Sequence, residues 1–587
     1  MRRPAGAGRG GDYARAMDPG SSAPAVARSI GLVLWLGLSV AAVTPSLLPR
    51  PPVFQGFLAG VGFTLGHGLG VLLVGLVLRA AAARRTGGLP PARGSGRDSR
   101  RTAVREWAAA AVLVGLGSLA LSALVVEWQN DVRANVDMPP RAAAGLGPFL
   151  LAWALTSAAG LGLLGALGAV RRRARDLARR RGAGAGAASA VSLTAAGTAV
   201  LLAVLLVVLG VLAAADRVYA ARDATTPEGV VEPGSRWRSA GGDSPVRWEA
   251  LGMQGRAFVG GGPTPAQIEE VTGRPAAEPV RVYVGLDQAE TAEERAALAV
   301  DELRRTGGFE REVLVVAAPT GSGWLERQSV DTVEYLNAGR TAIVATQYSY
   351  QPSWVSFLFA PELPRASSRA LFDAVHAEWA RMPAGDRPRL VVYGLSLGAS
   401  GMQSVFADVP EMTRRTDGAV FTGPPNNAQP WRSLQEGRDP GSPVWQPVLD
   451  QGRTVRWLSV PGDFDAVPGP WERPRIAYLQ HATDPITWLD PAVIWQRPEW
   501  LAGSQAEGGR AADVSDAMVW IPLLTYLQLA VDMVLGEAVP AGHGHNYGDV
   551  AVDAWAAVLP DHGLDGPALD RVREVIAAYP YEDAGAD

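Results

Sequence analysis

The chain has 587 residues, with 54 basic and 58 acidic side chains and a formal net charge of −4. This length allows two to four domains of roughly 100–200 residues each. Every basic residue is arginine, and neither Lys nor Cys occurs. These absences exclude Schiff-base lysines, Ser-Lys dyads, the lysine of a Walker A loop, cysteine nucleophiles, thiolate metal sites and disulfides. The balanced charge gives no reason to expect nucleic acid as a partner.

Five apolar stretches occupy the N-terminal part of the chain, at 25–43, 53–83, 107–126, 146–170 and 189–215. A helix needs about 20 apolar residues to cross the hydrocarbon core of a bilayer. We therefore predict a flexible tail at 1–24 and a five-span transmembrane domain at 25–216. A signal peptide is the alternative for the first stretch, because arginines precede it. Four further stretches follow, however, and we interpret the first as an uncleaved anchor.

The arginines of the connecting loops predict the orientation of these spans. Fourteen lie after the second and fourth stretches, namely Arg84, Arg85, Arg93, Arg97, Arg100, Arg101, Arg105, Arg171, Arg172, Arg173, Arg175, Arg179, Arg180 and Arg181. Only three lie in the other two loops, namely Arg50, Arg133 and Arg141. Arginine-rich loops stay in the cytoplasm. Because the number of spans is odd, we expect a multi-pass protein of the cell membrane with its C-terminal half extracytoplasmic.

The C-terminal half alternates apolar runs with helical patterns. Residues 217–275 are rich in Gly and Pro and are predicted to be a linker and domain entry. The runs at 280–284, 313–317, 341–345, 390–393, 419–422, 454–460 and 475–480 then predict strands. Strands that are apolar throughout and separated by helices are typical of a mostly parallel sheet covered on both faces.

The fourth predicted strand leads into Gly394-Leu395-Ser396-Leu397-Gly398. This is the G-x-S-x-G pattern of a nucleophile elbow, in which a tight strand-to-helix turn exposes the serine hydroxyl. The small residues at 399–401 favour a helix that packs closely on the strand. The N–H groups and dipole at its N-terminus would stabilise a developing oxyanion. The alternative is a glycine-rich turn without catalysis.

A serine nucleophile needs a base and an orienting acid, which follow it in the order Asp, then His. We predict His545 as the base, on a loop before the helix expected at about 549–559, and Asp484 as the acid, just past the last strand. For the oxyanion we predict the N–H of Leu397 together with that of Gly321 in a glycine-rich loop. The alternatives are His543 and His481 for the base, and Asp463 and Asp465 for the acid.

A metal site is a weaker interpretation of the same loop. His543 and His545 with Asp549 would supply ligands, but no further ligand is evident in the sequence. We therefore predict no metal, and the proposed chemistry requires no cofactor.

Several segments together resemble a family of membrane-anchored bacterial α/β-hydrolases, over about residues 28–580. They are TPSLLP at 44–49, RVYVGL at 281–286, PTGSGW at 319–324, QYSY at 347–350, GLSLG at 394–398, LQHATDP at 479–485 and GHGHNY at 542–547. The resemblance implies a multi-span N-terminal domain, an α/β-hydrolase catalytic domain at 276–587 and a Ser-Asp-His hydrolase. It does not identify the substrate.

The sequence thus predicts a membrane-tethered serine hydrolase of the esterase or lipase type. Its substrate would be an ester or amide in a small molecule, a lipid or an envelope component at the extracytoplasmic side. One alternative is an acyltransferase that uses the same triad. The other is a transport or signalling membrane protein with a non-catalytic hydrolase-like domain. Nothing in the sequence specifies the oligomeric state.

Overall fold

The computed structural model describes residues 33–84, 112, 116–117, 119–120, 123–141 and 145–579. The chain divides into two compact units. The first comprises residues 1–45, 50–131 and 140–202, and the second comprises 46–49, 132–139 and 203–587.

The described part of the N-terminal unit is mostly helical. Its helices include α1 (Val33–Ala42), α2 (Pro52–Arg84), α3 (Leu146–Arg180) and α4 (Ala185–Asp223), whose last part belongs to the second unit. Residues 123–135 are also helical. Within the described residues, the helices starting at Pro52, Leu146 and Ala185 are long and apolar enough to cross a membrane. The third predicted span, 107–126, lies mostly outside the described residues.

Close packing of α2 on α3 depends on small residues. A Cβ added at Gly56 would collide with the backbone of Phe149, and one added at Gly60 would meet Thr156. Small residues spaced four apart let membrane helices approach closely. Helix α4, in contrast, runs past the predicted boundary at 216 into the segment predicted as linker. It can do so because residues 216–223 contain neither Gly nor Pro.

The C-terminal unit contains a sheet of seven parallel strands in the order β1-β3-β2-β4-β5-β7-β6. The strands are β1 (Val280–Val284), β2 (Val313–Ala318), β3 (Thr341–Thr346), β4 (Arg389–Leu395), β5 (Gly418–Thr422), β6 (Val455–Leu458) and β7 (Arg475–Leu479). Nearly every strand residue is buried, although successive side chains point to opposite faces. Both faces of the sheet are therefore covered, and the predicted α/β class is confirmed.

Two helices of this unit precede β1, and the others follow the strands. In chain order, the helices are α5 (Gly252–Gly260), α6 (Pro265–Thr272), α7 (Ala292–Thr306), α8 (Arg327–Leu336), α9 (Ser353–Phe359), α10 (Glu362–Arg381), α11 (Leu397–Gln403), α12 (Val409–Arg415), α13 (Trp431–Glu436), α14 (Asp463–Ala466), α15 (Pro485–Trp488), α16 (Leu524–Val534), α17 (Val550–Val558) and α18 (Gly566–Ala577). The helix expected at 549–559 is α17, and α18 follows it.

Two short segments from the N-terminal part of the chain belong to the C-terminal unit. Leu47 and Leu48 are fully buried in an apolar cluster that also contains Val136 and Trp488. The N–H groups of Leu47 and Leu48 lie 3.1 and 3.4 Å from one carboxylate oxygen of Asp532 and donate to it. Segments 46–49 and 132–139 lie in the two arginine-poor loops. A part of each loop therefore packs in the same compact unit as the sheet.

Candidate active site

Ser396 occupies the single residue between β4 and α11 and has φ 54° and ψ −122°. A non-glycine residue in such a conformation stores about 1–3 kcal/mol of backbone strain. The conformation is held in place from the neighbouring strand, because the Ser396 N–H donates to the carbonyl of Thr422 at 2.8 Å. The backbone of Ser396 is thus fixed at the carboxyl end of the sheet, where α/β proteins bind ligands.

The two glycines of the motif are required by close approach of neighbouring backbone. A Cβ added at Gly394 would collide with the backbone of Gly398. A Cβ added at Gly398 would collide with the carbonyl of Ala318 at the end of β2. Any side chain at either position would therefore displace the turn that carries Ser396.

Asp484 follows β7 and binds the imidazole of His545. Nδ1 of His545 lies 2.7 Å from Oδ2 of Asp484, and the hydroxyl of Tyr547 donates to the same oxygen at 2.8 Å. The N–H of Ile486 donates to Oδ1 at 2.9 Å. Asp484, His545 and Tyr547 are all buried. The carboxylate is thus held by three donors, and Nδ1 of His545 is directed toward it.

The charge of Asp484 determines how the imidazole titrates. Burial lowers the pKa of His545, but the carboxylate of Asp484 outweighs this effect, and the pKa lies above its ordinary value of 6.5. Burial, together with the Asp484 carboxylate, raises the pKa of Tyr547 well above its usual range, so the phenol stays a donor. Nε2 of His545 is buried and has no hydrogen-bond partner within the described residues.

The end of β5 connects the serine to the histidine. Thr422 accepts the N–H of Ser396, and the next residue, Gly423, lies against the imidazole of His545. A Cβ added at Gly423 would collide with Cε1 of His545. The structure therefore brings Ser396, His545 and Asp484 into one neighbourhood at the carboxyl end of the sheet.

The alternative histidines have other contacts. Nε2 of His543 lies 3.2 Å from Oδ2 of Asp137, and its Nδ1 lies 3.6 Å from Oδ2 of Asp513. Both ring nitrogens of His481 lie within hydrogen-bond distance of backbone carbonyls. His543 and His545 thus pair with different carboxylates. Within the described residues, no three His, Asp or Glu side chains cluster as metal ligands would.

The alternative acids follow β6, in the short helix α14 that begins at Asp463 and includes Asp465. Oδ2 of Asp463 accepts the N–H groups of Ser459 and Val460 at 2.7 and 2.8 Å. Asp463 therefore stabilises the turn after β6, and its carboxylate contacts backbone rather than an imidazole.

The two residues predicted to bind the oxyanion differ in their surroundings. Leu397 is the first residue of α11, so its N–H has no acceptor within the helix, and the residue lines a cavity beside Ser396. The N–H of Gly321 instead donates to Oγ of Ser353 at 3.2 Å. Of Gly321 and Ser353, Ser353 lines the cavity, although it was not among the residues predicted from the sequence.

The cavity has a volume of about 260 Å³ and opens beside Ser396. Its walls are mostly apolar and come from the segments after β3, β5 and β7, from α16 and from the end of α4. The lining residues are Tyr219, Pro352, Ser353, Trp354, Phe357, Ser396, Leu397, Pro425, Ile486, Leu489, Met533, Val534, Glu537 and Ala538. An apolar pocket with few polar groups is typical of a small-molecule site.

A second carboxyl group, which is not among the residues predicted from the sequence, interacts electrostatically with His545. Glu326 is buried, and its Oε2 accepts the hydroxyl of Tyr393 at 3.2 Å. Burial raises the pKa of Glu326 to about 7, against a lowering effect of Tyr393 and of His545. No local pattern marks this residue, since it simply precedes α8.

Two family models match the chain. Residues 280–572 match the model of the alpha/beta-hydrolase family, and residues 43–263 match the model of that family's N-terminus. No curated protein and no solved structure matches the chain significantly. Together the two family matches cover most of the chain. The chain therefore belongs to the alpha/beta-hydrolase family.

Proposed function

We propose that this protein is a membrane-tethered serine hydrolase that cleaves an ester or amide with Ser396, His545 and Asp484. One observation carries the proposal. His545 has Nδ1 bound to a buried carboxylate, while its buried Nε2 has no partner within the described residues. A paired Nδ1 leaves Nε2 as the proton acceptor, which is the role that a general base plays beside a strained serine.

In the proposed mechanism, Oγ of Ser396 attacks the carbonyl carbon as its proton passes to Nε2 of His545. Asp484 keeps the other proton of the ring on Nδ1 and stabilises the imidazolium that forms. The Leu397 N–H would bind the oxyanion at the start of α11. His545 then protonates the leaving group, and water repeats the sequence to release the acid. An acyltransferase would differ only in that another acceptor replaces the water.

The extracytoplasmic location of this chemistry is also part of the proposal. The arginine-poor loops are the ones expected outside the cytoplasm. Their segments 46–49 and 132–139 pack in the same unit as the sheet. Parts of the loops expected outside the cytoplasm thus pack with the sheet, and this supports an extracytoplasmic site. Reporter proteins fused after residue 240 test the orientation. If only a reporter that is active in the cytoplasm gives a signal, the proposed orientation is wrong.

Labelling with a fluorophosphonate probe tests the mechanism in membranes that contain the full chain. We expect Ser396→Ala to abolish both labelling and turnover, since removing a triad member costs several orders of magnitude in rate. Ser404→Ala is the matched control, because the one hydrogen bond of its Oγ within the described residues is donated to the carbonyl of Gly401 in α11. Undiminished turnover of Ser396→Ala would eliminate the serine mechanism. Loss in both variants would point to misfolding.

A further inference from the structure

The cavity beside Ser396 has a wall that comes from an apolar helix. Tyr219 lies on α4, and α4 contains no charged residue from its start until Asp216. Tyr219 is three residues beyond Asp216, which is about 4.5 Å along the axis at a rise of 1.5 Å per residue. The polar layer on each side of a bilayer core is roughly 5–7 Å deep. If α4 spans the membrane, Tyr219 lies in the headgroup layer, where tyrosine is enriched.

Hydrogen bonds tie the end of α4 to the segment that forms another wall of the cavity. The hydroxyl of Tyr350 and Nε2 of Gln351 donate to Oδ1 of Asp216 at 2.7 and 2.9 Å. These two residues precede Pro352, the N-cap of α9, and Ser353 is the first residue of that helix. The cavity wall formed by α9 is therefore held at the level where the apolar part of α4 ends.

The surface around this wall is apolar and exposed. At the end of α9, Leu358 and Phe359 are 53% and 50% exposed, and Val534 at the end of α16 is 60% exposed. Phe357 and Val534 also line the cavity, so the exposed surface continues into it. Apolar groups exposed beside a membrane helix lose nothing when they contact hydrocarbon. The same groups would be unfavourable in water.

We propose that the site takes a long acyl chain of a membrane lipid ester, which enters from the bilayer between α9 and the end of α4. The inference rests on the proposed function and names its substrate class. The ester carbonyl lies at Ser396 and the acyl chain fills the apolar cavity. At about 30 Å³ per group of water or methylene size, a cavity of about 260 Å³ holds roughly eight to nine methylenes.

Chain-length dependence separates this inference from the proposed function. The purified full chain in detergent is assayed with p-nitrophenyl esters from acetate to dodecanoate. We expect kcat/KM to rise roughly fourfold for each methylene that enters the cavity, and then to level off. Leu489→Trp, which fills part of the cavity, is expected to shorten the chain length at which the rise stops. If Ser396 is labelled and the acetate ester is cleaved, but kcat/KM does not change with chain length, the acyl-chain inference is wrong and the proposed function stands. If Ser396 is not labelled, both fail.

Vesicles test whether the chain enters from the bilayer. The protein is reconstituted in phosphatidylcholine vesicles that contain a lipid with a fluorescent acyl chain, and turnover of this lipid is divided by turnover of a soluble butyrate ester. We expect the combined change Leu358→Asp and Phe359→Asp to lower this ratio roughly tenfold, because charges replace apolar contacts along the entry path. Val231→Asp, at an exposed apolar residue outside the cavity, is the control. If the ratio of lipid turnover to butyrate turnover is equal in the unmodified protein, the double variant and the control, the acyl chain does not enter from the bilayer.

Discussion

Replacing Asp484 by Asn tests the orienting role of its carboxylate with little change in shape. The N–H of Ile486 requires an acceptor at the position of Oδ1. The amide oxygen of Asn must then face Ile486, and its NH₂ group must face His545 and Tyr547. A donor next to Nδ1 stabilises the tautomer with the proton on Nε2. That tautomer cannot accept the proton of Ser396.

The expected loss follows from the hydrogen bonds that disappear. The substitution replaces Oδ2 of Asp484 by an NH₂ group. This oxygen accepts hydrogen bonds from Nδ1 of His545 and from the hydroxyl of Tyr547. Each hydrogen bond to a charged group contributes about 1.5–3 kcal/mol. The loss of about 3–6 kcal/mol from the transition state corresponds to a fall in kcat of roughly 10²- to 10⁴-fold.

The assay is the steady-state hydrolysis of p-nitrophenyl butyrate by the full chain in detergent, with thermal unfolding as the check on folding. Asp463→Asn is the matched control, because within the described part of the chain Asp463 accepts only the backbone N–H groups that follow β6. We expect this control to retain kcat within a few-fold. Asp484 does not orient His545 in this way if Asp484→Asn keeps more than a tenth of kcat, or if Asp463→Asn is equally impaired.

Four further predictions concern the surroundings of the same imidazole. His545→Ala should match Ser396→Ala in turnover, whereas His543→Ala should be milder, because the ring of His543 pairs with Asp137; equal losses would contradict the assignment. Only the neutral imidazole accepts a proton, and the pKa of His545 is raised above 6.5, so kcat/KM should fall as the pH drops through a value above 6.5. Gly423→Ala should lower kcat without preventing folding, because its Cβ would displace the ring of His545; an unchanged kcat would argue against that contact. Glu326→Gln should raise the melting temperature at pH 8 more than at pH 5. The buried carboxyl has a raised pKa of about 7, so its ionisation above pH 7 costs the folded state roughly 3 kcal/mol relative to the unfolded chain; equal shifts at both pH values would contradict this.

Features that depend on contiguous residues can be predicted from the sequence. Apolar runs predicted the strands, because a parallel strand buried on both faces needs apolar residues throughout. The motif at 394–398 predicted the elbow, because its glycines, its serine and the flanking strand and helix follow one another directly. The long apolar helices were likewise evident from length and composition, since a bilayer sets both.

Contacts between side chains that are distant in the sequence depend on the folded chain. His543 and His545 are separated by one residue, and their pairing with Asp137 and Asp484 depends on how their loop folds. Asp463 and Asp484 both follow strands, so the sequence could not distinguish them by position. In the sheet, β7 lies beside β5, and β6 forms the edge. Asp484 therefore lies next to the strand that contacts Ser396, whereas Asp463 lies one strand, or about 4.8 Å, farther away. Strand order is a property of the assembled sheet, and no local pattern encodes it.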